Sequence, residues 1–151
     1  MNLQSMRESS ELLARLNNSE LELFESLSTE IRLVNGEILF EEGGAADNFY
    51  IIIEGRIGLE LTSPGRPPMV IQTLGPGDLV GVSWFFAPFR WSWRARAQGD
   101  TLLVSFDAAE VRRQCALNRD LDLEVLGAVA EEAVRRLHRT RIQLLDLYRS
   151  T

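Results

Sequence analysis

The sequence predicts an α+β protein, in which N-terminal helices and a long C-terminal helix flank a jelly roll of the double-stranded β-helix type. Helical periodicity covers both ends of the 151-residue chain, and short β-rich runs fill residues 32–106. Gly, Pro, Asn and Asp separate these runs, as expected for the turns of a β-roll. We divide the chain into a polar, helical segment (1–18), a helix with the roll (19–106), and a C-terminal helical hinge with a long helix (107–151).

The N-terminal part is predicted to contain two helices. A weak helical pattern covers residues 11–16. Over residues 19–30, Leu21, Phe24 and Leu27 recur on one helical face. Ser19 and Glu22 have the spacing of a capping box, so we expect the second helix to begin there.

The middle of the chain is predicted to form the strands of the roll. Each run is rich in β-branched, aromatic or other apolar residues and ends at a turn signal, such as Gly43-Gly44 or Gly75-Pro76-Gly77-Asp78. The predicted strands are residues 37–40, 48–53, 56–62, 69–74, 94–97 and 101–106.

Helical periodicity returns after Phe106. Asp107 and Glu110 have cap spacing and predict a helix that ends near Leu117-Asn118, followed by a longer helix to about Tyr148. The longer helix carries an a/d seam typical of a two-stranded coiled coil. The seam consists of Leu126, Ala130, Ala133, Leu137, Thr140, Leu144 and Leu147.

A helix of this length would extend about 40 Å, which is more than a roll of this size can cover. We therefore expect part of the seam to meet a second copy of the chain and form a homodimer. The alternative is that the whole stripe packs on the chain's own roll.

Composition excludes several classes of protein. The net charge of −6 disfavours nucleic-acid binding, since phosphate neutralisation dominates that affinity. The chain has one cysteine, Cys115, and one histidine, His138. It therefore lacks the ligands for an iron–sulfur cluster or a typical metal site and has no evident catalytic triad. We therefore predict no enzyme activity, no catalytic residue and no metal. No signal peptide or membrane span is visible, so we expect a cytoplasmic protein.

An ordered set of glycines and apolar residues runs through the first half of the roll. It comprises Val34, Gly36, Glu37, Leu39, Gly43, Phe49, Tyr50, Ile52, Gly55 and Ile57, followed by Leu74-Gly75-Pro76-Gly77-Asp78. With this spacing the chain resembles the cyclic-nucleotide-binding domains of the catabolite-activator (Crp/Fnr) family from about Leu23 to Tyr148.

The resemblance implies a regulatory sensor that binds a small effector in the roll. No tightly bound cofactor is required; the implied effector is a cyclic nucleotide (cAMP or cGMP) or another small molecule. Transcriptional relatives carry a helix-turn-helix domain after the long helix, whereas this chain ends at Thr151. We therefore expect a stand-alone protein without direct DNA binding that signals to an unidentified downstream partner.

The family's phosphate-binding cassette corresponds to residues 77–97. In nucleotide-binding relatives a Gly-Glu-Leu run supplies a glutamate to the ribose, and a later Arg-Ser or Arg-Thr supplies an arginine to the phosphate. This chain has Gly81-Val82-Ser83 at the first position, so the carboxylate is missing. Trp91 and Ser92 stand at the second, with Arg90 one residue earlier.

The long helix completes the site that the resemblance implies. Arg135-Arg136-Leu137 and Thr140 resemble the stretch where relatives contact the purine, although Arg141 stands where a serine is frequent. The expected ligand-binding residues are Gly81, Val82, Ser83, Arg90, Trp91, Ser92, Trp93, Thr140 and Arg141.

Aromatic residues are concentrated in the cassette. Six of the twelve aromatic side chains lie between Trp84 and Trp93. They could fill the pocket by packing on the roll, stack on a flat ligand, or form a patch for a partner. The alternative function is therefore a degenerate cyclic-nucleotide-binding fold that no longer binds nucleotide and acts as a protein-interaction module.

Overall fold

The computed structural model describes residues 2–149 and confirms the predicted roll between helices. A 3₁₀ turn over Leu3–Met6 precedes helices α1 (Glu11–Arg15) and α2 (Asn18–Ser26). The strands are β1 (Ser28–Leu33), β2 (Ile38–Phe40), β3 (Asn48–Glu54), β4 (Ile57–Leu61), β5 (Met69–Leu74), β6 (Arg94–Ala97) and β7 (Thr101–Asp107). Helices α3 (Ala108–Leu117) and α4 (Arg119–Arg149) end the described chain.

The strands form two antiparallel sheets that face each other. One sheet has the order β1-β7-β3 and the other β2-β6-β4-β5, so β5 is an edge strand. All six predicted strands are present, with ends within one residue of those predicted. The alternation of apolar and turn residues is a local signal, which explains why the sequence alone located these strands well.

The predicted N-terminal boundaries are wrong in two respects. The capping box is formed by Asn17 and Glu20, not by Ser19 and Glu22: the Asn17 side chain accepts from the Glu20 N–H at 2.8 Å. The helix ends at Ser26 instead of residue 30, because β1 begins at Ser28 and pairs with β7 from Phe106 onward. Tertiary strand pairing thus overrides the local helical periodicity.

The C-terminal helices begin and end as predicted. The Asp107 carboxylate accepts from the Glu110 N–H at 3.0 Å and caps α3, and the Asn118 N–H closes its last turn on Gln114 and Cys115. The first half of α4 buries one face, on which Leu121, Val125 and Val129 are inaccessible to solvent.

The core has two parts. One joins the helices to the sheet of β1, β7 and β3 around Phe24, Phe49 and Phe106, whose rings are in contact. The other lies between the two sheets and includes Ile52 and Leu74.

The roll does not bury the predicted seam of α4. Leu126, Leu137, Leu144 and Leu147 are 40%, 63%, 52% and 64% exposed, and residues 137–149 are all exposed. The expectation of a second copy at the seam remains a prediction.

Gly77 provides a test of how tightly the N-terminal segment packs on the roll. Its φ is +87°, and a Cβ at this position would overlap the backbone carbonyl of Ser9. We expect Gly77→Ala to lower the free energy of unfolding by more than about 2 kcal/mol in urea denaturation, since backbone strain and a clash combine. Gly65→Ala is the control, because Gly65 has φ +74° but no atom within 4 Å. In Gly65→Ala the free energy of unfolding should fall by only about 1 kcal/mol. Equal losses in the two variants would contradict the close packing of Ser9 against Gly77.

Candidate functional site

A cavity of about 370 Å³, here called the inner cavity, lies between β5, the cassette and α4. Its walls come from two strands, from the two cassette stretches around Gly81 and Trp91, and from one face of α4. Seven of the nine predicted ligand-binding residues line it: Gly81, Val82, Ser83, Trp91, Ser92, Trp93 and Thr140. The other lining residues are Leu59, Ile71, Gln72, Ala133, Arg136 and Leu137.

Arg90 and Arg141, the two remaining predicted ligand-binding residues, do not line the inner cavity. The Arg90 guanidinium is exposed and donates to the Gly43 carbonyl at 3.0 Å, which holds it at the rim of the roll. Arg141 follows Thr140 on α4, and one residue turns the side chain by about 100° around the helix. It therefore lies on another face and is exposed.

Arg136, and not the predicted Arg90 or Arg141, is the arginine that lines the inner cavity. It lies one helical turn before Thr140, on the same face of α4, and its side chain is only 11% exposed. Its Nη2 donates to the Leu79 carbonyl and, at 3.2 Å, to the buried carboxylate of Glu132. The four-residue spacing between Glu132, Arg136 and Thr140 was the signal in the sequence that could have identified Arg136.

The charge on Arg136 is held in a poorly solvated place. Burial lowers the pKa of Arg136, while the charges of Glu132 and Asp78 oppose this effect. A guanidinium nevertheless remains protonated at neutral pH. Arg136 is the only charged residue among the lining residues described above, and its ion pair with Glu132 offsets part of its charge.

Gln72 provides a second polar group beside Arg136. This β5 side chain is 5% exposed, and its Nε2 donates to the Arg136 carbonyl at 3.0 Å and to the Thr140 hydroxyl at 3.5 Å. Gln72 Oε1 and Arg136 Nε are buried without a partner. An unpaired buried polar atom costs about 1–3 kcal/mol, so this pair marks a point where a polar ligand group would be stabilised.

The aromatic residues of the cassette divide between packing and the cavity wall. Trp84 is fully buried and stacks on Phe49 with centroids 3.8 Å apart. Trp91 stacks on Phe40 at 3.9 Å and also covers Gly81, where a Cβ would come within 2.5 Å of the indole. Trp93 is half-buried at the cavity.

The cassette is tied to α3 by Arg112. The guanidinium donates to the Trp84 carbonyl at 2.6 Å and lies 4.0 Å from the centroid of the Phe89 ring. Helix α3 leads through Asn118 into α4, so Arg112 connects the cassette to the helix that precedes the long one.

Other types of site find little support in residues 2–149. This part of the chain has no group of three or more His, Cys, Asp and Glu side chains that could hold a metal ion. Cys115 is buried, and burial raises its thiol pKa to about 11, which disfavours a reactive thiolate. No helix in these residues is sufficiently long and apolar to cross a membrane.

Comparison with protein families gives a match to the cyclic nucleotide-binding domain over residues 30–118. A CRP-like cAMP-activated global transcriptional regulator of Mycobacterium tuberculosis is 30% identical over 112 residues. That alignment covers 74% of this chain and 48% of the regulator. The chain thus spans about half the length of these curated relatives.

Solved structures show the same fold. A protein of Geobacter metallireducens described as cyclic nucleotide-binding superimposes with a TM-score of 0.82 and 25% identity, over 91% of this chain and 99% of that one. The N-terminal domain of a transcriptional regulator from Streptomyces coelicolor gives a TM-score of 0.68 and 25% identity, over 92% and 94% of the two chains.

Proposed function

The chain belongs to the cyclic nucleotide-binding domain family, and from this premise we propose that it is a regulatory sensor, not an enzyme. In this proposal the inner cavity binds a small effector with an anionic group, and α3 and α4 transmit its occupancy to a separate partner protein in the cytoplasm. The observation that carries the proposal is the largely buried guanidinium of Arg136, a residue that lines the cavity and whose Nε has no hydrogen-bond partner.

The chemistry of the inner cavity suits an anion. A guanidinium forms strong charge-assisted hydrogen bonds with carboxylate or phosphate oxygens. The hydroxyls of Ser83 and Ser92 bond each other at 3.2 Å, so one of the two O–H groups can still donate to a ligand. The Thr140 hydroxyl donates to the Arg136 carbonyl at 2.9 Å. Its volume of about 370 Å³ also lies within the range of small-molecule sites.

Cyclic nucleotides are the first effectors to test. The Mycobacterium tuberculosis relative is described as cAMP-activated. However, Val82 lies where nucleotide-binding relatives have a glutamate for the ribose, and no carboxylate lines the described cavity. We expect any cyclic nucleotide to be held through its phosphate at Arg136 and through stacking on Trp91 or Trp93.

Signal transmission would use the contacts of the cassette with the helices. Effector bound at Ser83 and Trp91 would shift the cassette, and Arg112 would carry that shift from Trp84 and Phe89 to α3. An effector changes this equilibrium only by binding one arrangement of the cassette better than the other.

A protein-interaction module is the second candidate. It is favoured by the cassette itself, where Trp84 and Trp91 are buried by stacking on the chain's own rings while Phe86 is 47% exposed. In that case the aromatic cassette narrows the cavity and offers an apolar surface to a partner, without an effector.

We also propose that two chains associate through α4. Leu126 and Ala130, from the predicted seam, lie outside the inner cavity, and Val134 beside them is 66% exposed. An exposed apolar stripe along a long helix is typical of a coiled-coil contact.

The role of Arg136 is tested by titrating cyclic AMP and cyclic GMP separately against tryptophan emission and heat of binding. We expect saturable binding that Arg136→Gln weakens at least tenfold, because a charge-assisted hydrogen bond contributes about 1.5–3 kcal/mol. Arg141→Gln, on another face of α4, should bind as the wild type does.

Arg136 also donates hydrogen bonds to the Leu79 carbonyl and the Glu132 carboxylate, so its substitution can destabilise the fold. The melting temperature of each variant is therefore measured first. Gln72→Leu serves as a second variant if Arg136→Gln is unstable, and it should also weaken binding. Unchanged affinity in both variants would contradict the proposed site. A wild-type chain that gives no response at millimolar nucleotide excludes cyclic nucleotides as effectors.

The α4 contact is tested by Leu126→Arg. We expect this variant to sediment as a monomer, because two buried guanidinium groups would face each other at the seam. Leu117→Arg is the matched control, since Leu117 is 72% exposed at the end of α3. If Leu126→Arg still sediments as a dimer, the seam is not the interface. A wild-type chain that sediments as a monomer would also contradict this proposal.

A further inference from the structure

The Trp91 indole closes one side of the inner cavity. Trp91 lines the cavity, although the residue is only 4% exposed. Its indole stacks on the Phe40 ring of β2, with centroids 3.9 Å apart and 7° between the ring planes. The six-membered ring also lies against Gly81 at the start of the cassette. The volume that the indole fills adjoins the cavity, so the cavity would become larger if the ring moved away.

Gly81 allows the indole to lie this close to the backbone. A Cβ at position 81 would be 2.5 Å and 3.0 Å from two carbons of the six-membered ring. The φ of Gly81 is +86°, a conformation in which any other residue is strained. The contact between Trp91 and the cassette therefore depends on glycine at this position.

The backbone of Trp91 is fixed, whereas its indole is held by packing alone. The Trp91 N–H donates to the Gly44 carbonyl at 2.9 Å, and the Gly43 N–H donates to the Trp91 carbonyl at 2.7 Å. Within residues 2–149 the indole N–H of Trp91 makes no hydrogen bond. A change of side-chain rotamer would thus move the ring while both backbone hydrogen bonds remain.

Trp84 differs from Trp91 in each of these respects. It is fully buried, stacks on Phe49 and does not line the inner cavity. Its carbonyl accepts from Arg112 of α3. Trp84 is an anchor of the cassette in the core, and Trp91 is the tryptophan that lies between the core and the cavity.

We propose that Trp91 is the gating side chain of the effector site. The site is closed while the indole lies on Phe40 and Gly81, and the effector binds the arrangement in which the ring has left that position. The exposed face of Phe40 then favours an effector with a planar ring system. This inference rests on the proposed function and adds how the same site is regulated.

A gate of this kind lowers the apparent affinity of the effector. When only a fraction of the molecules is open, the apparent dissociation constant is the intrinsic one divided by that fraction. A substitution that displaces or removes the indole should therefore increase affinity. Loss of packing alone gives no such increase, so the sign of the change separates a gate from a structural residue.

The first test is Gly81→Ala, which places a methyl group where the indole lies. We expect calorimetry with cyclic AMP and cyclic GMP to show binding at least tenfold tighter than in the wild type. Gly65→Ala is the matched control, because Gly65 has φ +74° and no atom within 4 Å of an added Cβ. It introduces similar backbone strain without moving a ring, and its affinity should equal that of the wild type.

The second test is Trp91→Leu, with Trp84→Leu as its control. Trp91→Leu should also bind at least tenfold more tightly. Trp84→Leu removes an indole of the same size from the core and should lower the melting temperature without a gain in affinity. Melting curves establish that each variant is folded, and Gly81→Ala remains informative if either tryptophan variant is not.

The outcomes distinguish the gate from the proposed function. Affinity that is unchanged or lower in both Gly81→Ala and Trp91→Leu would overturn the gate and make Trp91 a fixed wall. If Arg136→Gln still weakened binding, the effector site would stand without a gate. Binding by Trp91→Leu but not by the wild type would support the gate and exclude cyclic nucleotides as natural effectors. If no chain bound at millimolar nucleotide, the gate would fail together with cyclic nucleotides as effectors.

Discussion

The attachment of Arg136 to the roll, beyond the buried face of the first half of α4, shapes the candidate site. The guanidinium binds the Leu79 carbonyl and the buried Glu132, while the backbone carbonyl of Arg136 accepts from Gln72. These contacts hold the helix beside the edge strand β5 without closing the space between them. Two polar atoms are left unpaired, Arg136 Nε and Gln72 Oε1, and they belong to residues that are hydrogen-bonded to each other. The interaction that positions the helix therefore also provides the polar end of the site.

The aromatic cassette changes the chemistry of the cavity without losing its connection to the helices. Trp91 covers Gly81 and stacks on Phe40, so indole forms a wall where relatives that bind nucleotide present polar groups. Trp84 anchors the cassette in the core, and Arg112 binds its carbonyl from α3. Under the proposed function, a ligand that displaced Trp91 or Trp93 would act on a segment that Arg112 joins to α3, which leads through Asn118 into α4.

Local signals in the sequence predicted most of the fold and the lining of the cavity. Alternating apolar residues and turn glycines located six strands, and cassette residues such as Ser83 and Trp93 line the cavity as expected. What failed depends on tertiary structure. Strand β1 forms because β7 is available for pairing, and Arg90 is held away by the Gly43 carbonyl. The helical spacing of Glu132, Arg136 and Thr140 places them on one face of α4, but the contacts of Arg136 with Leu79 and Gln72 depend on the tertiary structure.

The central claim is that Arg136 Nε, buried and unpaired, receives the anionic group of the effector. The most direct measurement is the ¹H–¹⁵N spectrum of arginine side chains, with the Arg136 Nε–H signal assigned by its absence in Arg136→Gln. Cyclic AMP and cyclic GMP would be added in turn. The account predicts a saturable shift of this signal with at least one of them, while the Arg141 signal stays in place. An Arg136 signal unmoved by both, or a uniform shift of all arginines, would contradict it.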